Sequence, residues 1–305
     1  MKERLVFLVG PTAIGKTGIS IELAGLINGE IVSCDSMQVY KGMDIGTSKP
    51  AKDLLARIPH HMIDIIEPSD EFSVAQFRRM AVKAIEDIIA RGKTPLVVGG
   101  SGLYVKVLID GIFEAPSTDR EFRARLKQEA DEFGTGILYI RLQEVDKEAA
   151  SGIHPNDLRR ILRALEVYEK AKAPISQLRA NTVGLSDKYE VKIFGLNMER
   201  PALYKKVEER VDLMFKEGLT EEAKGLMRQK LSLTASQALG YKEIFAFLRG
   251  ECDTEEAKRL VKRDTRRYAK RQITWFKADK RMEWIMLDED FDPNEIAKGI
   301  WKKLS

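Results

Sequence analysis

Lys16 and Thr17 end the run Gly10-Pro11-Thr12-Ala13-Ile14-Gly15-Lys16-Thr17. These residue types at this spacing suit one task, the binding of phosphate oxygens. Backbone N–H groups of a glycine-rich loop and of a helix N-terminus converge on an anion. Lys16 adds a positive charge, and the Thr17 hydroxyl can ligate a magnesium ion carried by the phosphates. The run directly follows the apolar stretch Leu5-Val6-Phe7-Leu8-Val9 and precedes a helical pattern carrying Ile19, Leu23 and Leu26 on one face. Strand, glycine loop, Lys-Thr, helix is the P-loop order. It marks a phosphate or pyrophosphate site without naming the molecule that carries the phosphates.

A second candidate group is Asp35. Glu30-Ile31-Val32-Ser33 reads as a strand, and Cys34-Asp35-Ser36-Met37-Gln38-Val39-Tyr40 leaves its carboxyl end. In a P-loop sheet that edge faces the phosphate loop, so Asp35 is a candidate general base or magnesium ligand. An aspartate in a turn is often only a cap. The strand at 95–98, however, ends in Gly99-Gly100-Ser101-Gly102, where many P-loop NTPases place an acid. That shifts weight towards Asp35 and away from an ordinary ATPase or GTPase. Only His60, His61 and His154 could supply imidazole, which argues against a zinc cluster. Mg2+ on a phosphate is the metal to expect.

These groups need a scaffold. Strands are expected near 5–9, 30–33, 62–66, 95–98, 191–196 and 284–287, and helices near 16–27, 73–91 and 102–109. The alternation implies an α/β fold, a P-loop parallel sheet with helices on both faces. From about Ala115 the pattern turns helical, with Asp119–Glu132, a segment from Ile137 to Ala150, and Asp157–Lys170. We divide the chain into a P-loop core over 1–115, an inserted all-helical domain over 116–188, and core completion with basic helices over 189–305. Asp157, ahead of Arg159, Arg160 and Arg163, is a suitable N-cap.

The chain of 305 residues is 44% hydrophobic and 32% charged, enough for a full core. No long uncharged apolar run is present, so no membrane span is expected. Nor does a signal-peptide core precede the P-loop strand. The two cysteines, Cys34 and Cys252, form no CxxC pair, and a reducing, cytoplasmic setting is the natural reading. The net charge of +4 decides nothing, but its distribution does. Eleven basic residues lie between Lys258 and Arg281, opposed within that run only by Asp264 and Asp279. At helical spacing they form two adjacent ridges, a cationic rail suited to nucleic acid.

The motifs together resemble the bacterial tRNA dimethylallyltransferases (tRNA isopentenyltransferases). They are the P-loop, Ser33 through Pro50, Val98-Gly99-Gly100-Ser101-Gly102-Leu103-Tyr104, His154-Pro155-Asn156-Asp157, Arg163 through Val167, Gln237 through Glu243, and Ala269 through Phe276. They span nearly the whole chain. The resemblance implies transfer of a dimethylallyl group from its diphosphate to N6 of the adenosine just 3′ of a tRNA anticodon. The P-loop would then hold the pyrophosphate leaving group, with Mg2+, and Asp35 would take the N6 proton. Arg210, otherwise an unremarkable helical arginine, would join Lys16 and Thr17 in catalysis. The resemblance further assigns tRNA contacts to Asp35, Ser36, Met37, Gln38, Ser101, Arg123, Arg159, Arg160, Ile161, Leu162 and Arg163. It leads us to expect the insertion to grip the anticodon stem-loop. We take a monomer as the working state. A small-molecule P-loop kinase or adenylate isopentenyltransferase would explain the P-loop and Asp35, but neither the insertion nor the rail. A non-catalytic RNA-binding switch would need the missing strand-end acid.

Overall fold

The computed structural model describes residues 2–113, 118–180 and 182–304. Two compact units result, one built from residues 1–109 and 185–305 and the other from residues 110–184.

The first unit is a six-stranded sheet of β1 (Arg4–Val9), β2 (Gly29–Cys34), β3 (His60–His61), β4 (Thr94–Gly99), β5 (Glu190–Met198) and β6 (Met282–Leu287). Spatial order is β3-β2-β4-β1-β5-β6, and every pairing is parallel. Leu5 through Val9 are wholly buried, as expected of a central parallel strand covered on both faces. Helices Lys16–Leu26 and Pro293–Leu304 contribute Ile19, Leu23, Ala297 and Ile300 to the core around Val6, Leu8, Leu96 and Leu196. A second core forms where Tyr40 and Met43 meet Leu219, Ala223, Tyr241, Ile244 and Ala257.

The register decides where chemistry gathers. Val9 of β1 and Cys34 of β2 are both level with Gly99 of β4. The Gly10 loop, Asp35 and the Gly100 turn therefore leave three adjacent strands side by side at the carboxyl edge. At the opposite edge Glu30, 2% exposed, accepts hydrogen bonds from Arg91 and Lys93, with His61 Nε2 2.7 Å away. The Arg91 guanidinium foremost holds that carboxyl well below the usual carboxylate range.

One expected strand is displaced. Residues 62–66 are not a strand; the pairing is confined to His60 and His61, and Ile66 makes only an isolated bridge with Tyr40. Met62 and Asp64 take left-handed backbone (φ 67° and 53°), which breaks an extended run whatever its apolar pattern.

The second unit packs helices Arg120–Phe133, Thr135–Val145, Lys147–Ser151, Leu158–Ala171 and Ile175–Ala180 around Leu126, Leu138, Leu142, Ile161, Leu165 and Val167. Asp157 caps its helix, accepting from Arg160 N at 3.1 Å. The expected division point between 115 and 116 lies outside the described residues. At the other end the chain rejoins the sheet earlier than expected. Leu185–Lys188 is a short helix of the first unit, its Leu185 buried and its Ser186 Oγ donating to Ile109 O at 2.8 Å.

Candidate active site at the carboxyl edge of the sheet

Gly15 makes the P-loop turn possible. It is the N-cap of Lys16–Leu26 at φ 93°, a conformation in which a Cβ is strained. The turn brings Lys16 back over its own loop, where Nζ donates to Gly10 O (3.0 Å) and Pro11 O (2.7 Å). Burial, with the neighbouring Arg210 charge, lowers the Lys16 pKa to about 7; Asp35 pulls the other way. Arg210, from helix Arg200–Lys216, is also drawn inward. Its Nη1 donates to Thr12 Oγ1 at 2.7 Å, burial lowers its pKa to about 10, and its Nε is buried without a partner. A guanidinium with an unsatisfied buried donor, beside a lysine about half charged at neutral pH, is an arrangement that an anion would complete.

Asp35 sits where β2 ends. Its Oδ1 accepts from Met37 N (2.8 Å) and Gln38 N (3.4 Å), an Asx-type turn that fixes the carboxylate. Its Oδ2 takes no protein hydrogen bond among the described residues. Ser36 N donates to Ser101 Oγ at 3.1 Å, which ties the β2 turn to the β4 turn. Gln38 Oε1 accepts from Ser33 Oγ at 3.0 Å, and its Nε2 donates to the Thr47 and Ser48 carbonyls at 3.3 Å. Cys34 is buried, and its thiol is pushed well up by burial, so it stays protonated.

A cleft of about 930 Å³ opens here, lined by Thr12 through Thr17, Asp35 through Gln38, Gly100, Arg210 and Gln272 among others. Sequence reasoning missed Gln272. It comes from the long helix Thr254–Lys277, is 5% exposed, and bridges two turns. Its Oε1 accepts from Thr12 N and its Nε2 donates to Gly100 O, each at 2.9 Å. Gly100 is needed for this approach, since a Cβ there would stand 2.1 Å from Gln272 Nε2. Tyr268, one turn earlier, also lines the cleft, and burial raises its phenol pKa. The only sequence signal for Gln272 was the motif Ala269 through Phe276, which names no partner, and Tyr268 was legible only as part of the apolar side of a basic helix.

The remaining candidates lie in the helical unit. Arg159 and Arg160 are exposed, and Arg163 and Arg123 half-buried. Ile161 is 0% exposed and Leu162 packs on the same core, so an RNA contact by this segment falls to the arginines. The cationic rail also reads differently. Three of its cations find acids on helix Arg200–Lys216: Asp212 pairs with Lys258 and Lys262 at 2.8 Å each, and Glu208 pairs with Arg266. Glu256 holds Arg259 at 2.6 Å, while Asp264 holds Arg263 and Arg267. Lys270, Arg271, Lys277 and Lys280 have no ion pair among the described residues, and Arg271 lines the cleft. Among the described residues, no three His, Cys, Asp or Glu side chains converge as a metal site. No described helix is long and apolar enough to cross a membrane.

Comparison with known proteins agrees with this architecture. The family model described as IPP transferase matches residues 38–279. A protein of Geotalea uraniireducens named tRNA dimethylallyltransferase 2 is 48% identical over 95% of this chain and 94% of its own length. The tRNA dimethylallyltransferase of Caldanaerobacter subterraneus is 47% identical over 100% and 98%. Among solved structures, the tRNA isopentenylpyrophosphate transferase of Bacillus halodurans is similar at TM-score 0.72 and 42% identity, covering 99% of this chain and 97% of that one. A eukaryotic dimethylallyltransferase captured acting on tRNA is similar at TM-score 0.81 and 29% identity, over 98% and 78%. With a family model spanning most of its length and relatives near half identity end to end, the chain belongs to the IPP transferase family, that of the tRNA dimethylallyltransferases.

Proposed function

We propose that this protein transfers a dimethylallyl group from dimethylallyl diphosphate to N6 of the adenosine on the 3′ side of a tRNA anticodon, releasing diphosphate. The observation that carries the reading is the sharing of one cleft by two unlike groups. Lys16, Arg210 and the loop amides form an anion site, and Asp35 offers an oxygen free of protein partners. As the bond from the allylic carbon to the diphosphate oxygen breaks, negative charge grows on the diphosphate. Lys16, Arg210 and the amides of 13–17 are in place to absorb it. The lone pair of the adenine amine is delocalised, so N6 is a weak nucleophile. Asp35 accepts a hydrogen bond from N6 and takes its proton as the C–N bond forms. The adenosine must leave the anticodon-loop stack to reach this cleft.

Magnesium fits as a companion of the diphosphate. The chain offers the Thr17 hydroxyl rather than a full ligand set, which suits an ion held mainly by phosphates and water. Once bound it would supply Lewis-acid stabilisation of the leaving group. We place Arg123, Arg159, Arg160 and Arg163 at the tRNA, and Ser36, Gln38 and Ser101 around the target base. The working unit is a monomer in a reducing cytoplasm.

The test incubates the protein with labelled dimethylallyl diphosphate and either tRNA or a free adenine nucleotide, without ATP. Label is expected in tRNA alone. Label in the free nucleotide, or a strict ATP requirement, would overturn the reading. Asp35→Asn should lower transfer by about 10²–10⁴-fold with tRNA binding largely kept. More than about a tenth of wild-type rate would remove Asp35 from the role of base.

A further inference from the structure

Inside the helical unit, Arg123 and Arg163 meet at one acid. Glu166 on helix Leu158–Ala171 is 0% exposed, and its two oxygens accept four hydrogen bonds. Oε1 takes Asp119 N at 2.7 Å and Arg123 Nε at 2.9 Å. Oε2 takes Arg123 Nη2 at 2.6 Å and Arg163 Nη1 at 2.5 Å. A carboxylate has about four acceptor positions, so this one is saturated. Arg123 is gripped along the edge carrying Nε and Nη2, which fixes the plane of its guanidinium. Arg163 stands one turn from Glu166 on the same helix and shares Oε2, so the two guanidiniums are neighbours. About a third of each arginine side chain remains exposed.

Beyond the pair with Glu166, Arg123 keeps its Nη1 donors without a protein partner among the described residues, on a side chain about a third exposed. A phosphodiester matches the fork of a guanidinium. The burial of Glu166 has a further implication. A carboxylate taken fully out of water is costly, and it is retained here with every lone pair used. The Coulomb effect of Glu166 on RNA is repulsive, so its presence beside two RNA-directed arginines needs a geometric reason.

We infer that Glu166 is a positioning residue for tRNA recognition, holding Arg123 and Arg163 as a preset pair of guanidiniums for the RNA phosphate backbone. The inference rests on the reading above that these arginines contact tRNA. Glu166 touches no substrate in this account and acts through the two arginines.

The sign of one substitution separates geometry from charge. Glu166→Gln removes a negative charge next to a polyanion, so electrostatics alone makes tRNA bind more tightly. The positioning role predicts the reverse: tRNA affinity about tenfold weaker, the size expected for one misplaced guanidinium contact, falling on KM for tRNA rather than on kcat. Affinity is measured on the full chain as a function of salt, with circular dichroism and thermal melting showing that the helical unit is folded at the assay temperature. Arg123→Lys serves as a second variant. It keeps the charge and a pair with Glu166 but lacks the fork, and is expected to fold normally and to bind tRNA severalfold more weakly. Folded Glu166→Gln binding as tightly as wild type or more tightly, or Arg123→Lys binding as wild type, would overturn the role of Glu166. Arg123→Ala and Arg163→Ala test the underlying reading. If both bind tRNA as wild type, the arginines are not at the RNA and the inference fails with that reading; if both weaken binding while Glu166→Gln does not, only the inference fails.

Discussion

Lys16 sits close to half-protonated at neutral pH, because burial and Arg210 oppose its charge more than Asp35 favours it. A diphosphate brought against Nζ reverses that balance and favours the ammonium. The sign follows directly. Well above pH 7 the free protein carries Lys16 neutral, so binding takes up a proton; well below pH 7 the proton is already present. At pH 8.5 a diphosphate is fully ionised, its last proton having left near pH 6 as for other phosphates. Uptake there reports the protein. Calorimetry of dimethylallyl diphosphate binding in two buffers of different ionisation heat should show uptake approaching one proton at pH 8.5, abolished in Lys16→Met. Zero uptake in the wild type would contradict the lowered pKa. Lys16 and Asp35 could be read from sequence because each follows a recognisable apolar strand. Arg210 could not, since its only local context is a charged helix and its partner, Thr12, lies far away in sequence.

At the scale of elements, the helix Thr254–Lys277 does more than line the cleft. Through Gln272 it couples the P-loop to the β4 turn, giving Thr12 N–H and Gly100 C=O a single shared partner. Gln272→Ala leaves both groups without it, at a cost of about 1–3 kcal/mol for each that stays buried. It should raise KM for dimethylallyl diphosphate more than KM for tRNA. Gly100→Ala drives a methyl into the Gln272 amide and should act in the same direction. The two are expected to be non-additive, with the double variant within about 0.5 kcal/mol of Gln272→Ala alone. Additive losses in diphosphate affinity would show that the turns are not coupled through this amide. The glycines after β4 were legible as a strand-end turn, but the amide they make room for was not, because it arrives 172 residues later. A similar limit explains the strand expected over 62–66. Its apolar residues were visible, whereas the left-handed backbone at Met62 and Asp64 is set by a loop whose Lys49 donates to Tyr40 O and pairs with Asp44 and Asp64. The helical segment expected from 137 to 150 is cut at Asp146 for the same kind of reason. That carboxylate caps Ala149 N at 2.9 Å and also binds Ser176 from across the unit.

For the molecule as a whole, charge is organised by tertiary pairing as well as by local pairs along each helix. The rail is continuous in sequence, yet Asp212 and Glu208 pair with Lys258, Lys262 and Arg266 from a helix about 50 residues earlier. Lys262→Ala and Arg266→Ala should therefore barely change the dependence of tRNA affinity on salt. Loss of a true phosphate contact among Arg159, Arg160 and Arg163 should flatten the log–log slope by about one. Equal slopes for the two sets of variants would mean that pairing in the fold does not decide which cations meet RNA. The parallel sheet and its P-loop were plain from strand and helix periodicity, and so was the helical character of the stretch between β4 and β5. Which of its residues face inward was not, and Ile161 is the instance. The two ends of that stretch carry a last consequence. Ser186 Oγ meets Ile109 O at 2.8 Å, and Thr182 Oγ1 meets Asp110 O at 3.0 Å, so the chain departs and returns through neighbouring points on either side of the cut. Such a cassette can be excised or grafted without reopening the sheet. A chain joining Ile109 to Leu185 through a few Gly and Ser residues should fold, keep diphosphate affinity, and lose tRNA affinity. Transplanted between the same two strands of another P-loop protein, the helical unit would carry RNA recognition with it, a recombination in which a phosphate-handling sheet acquires a new class of acceptor in one step.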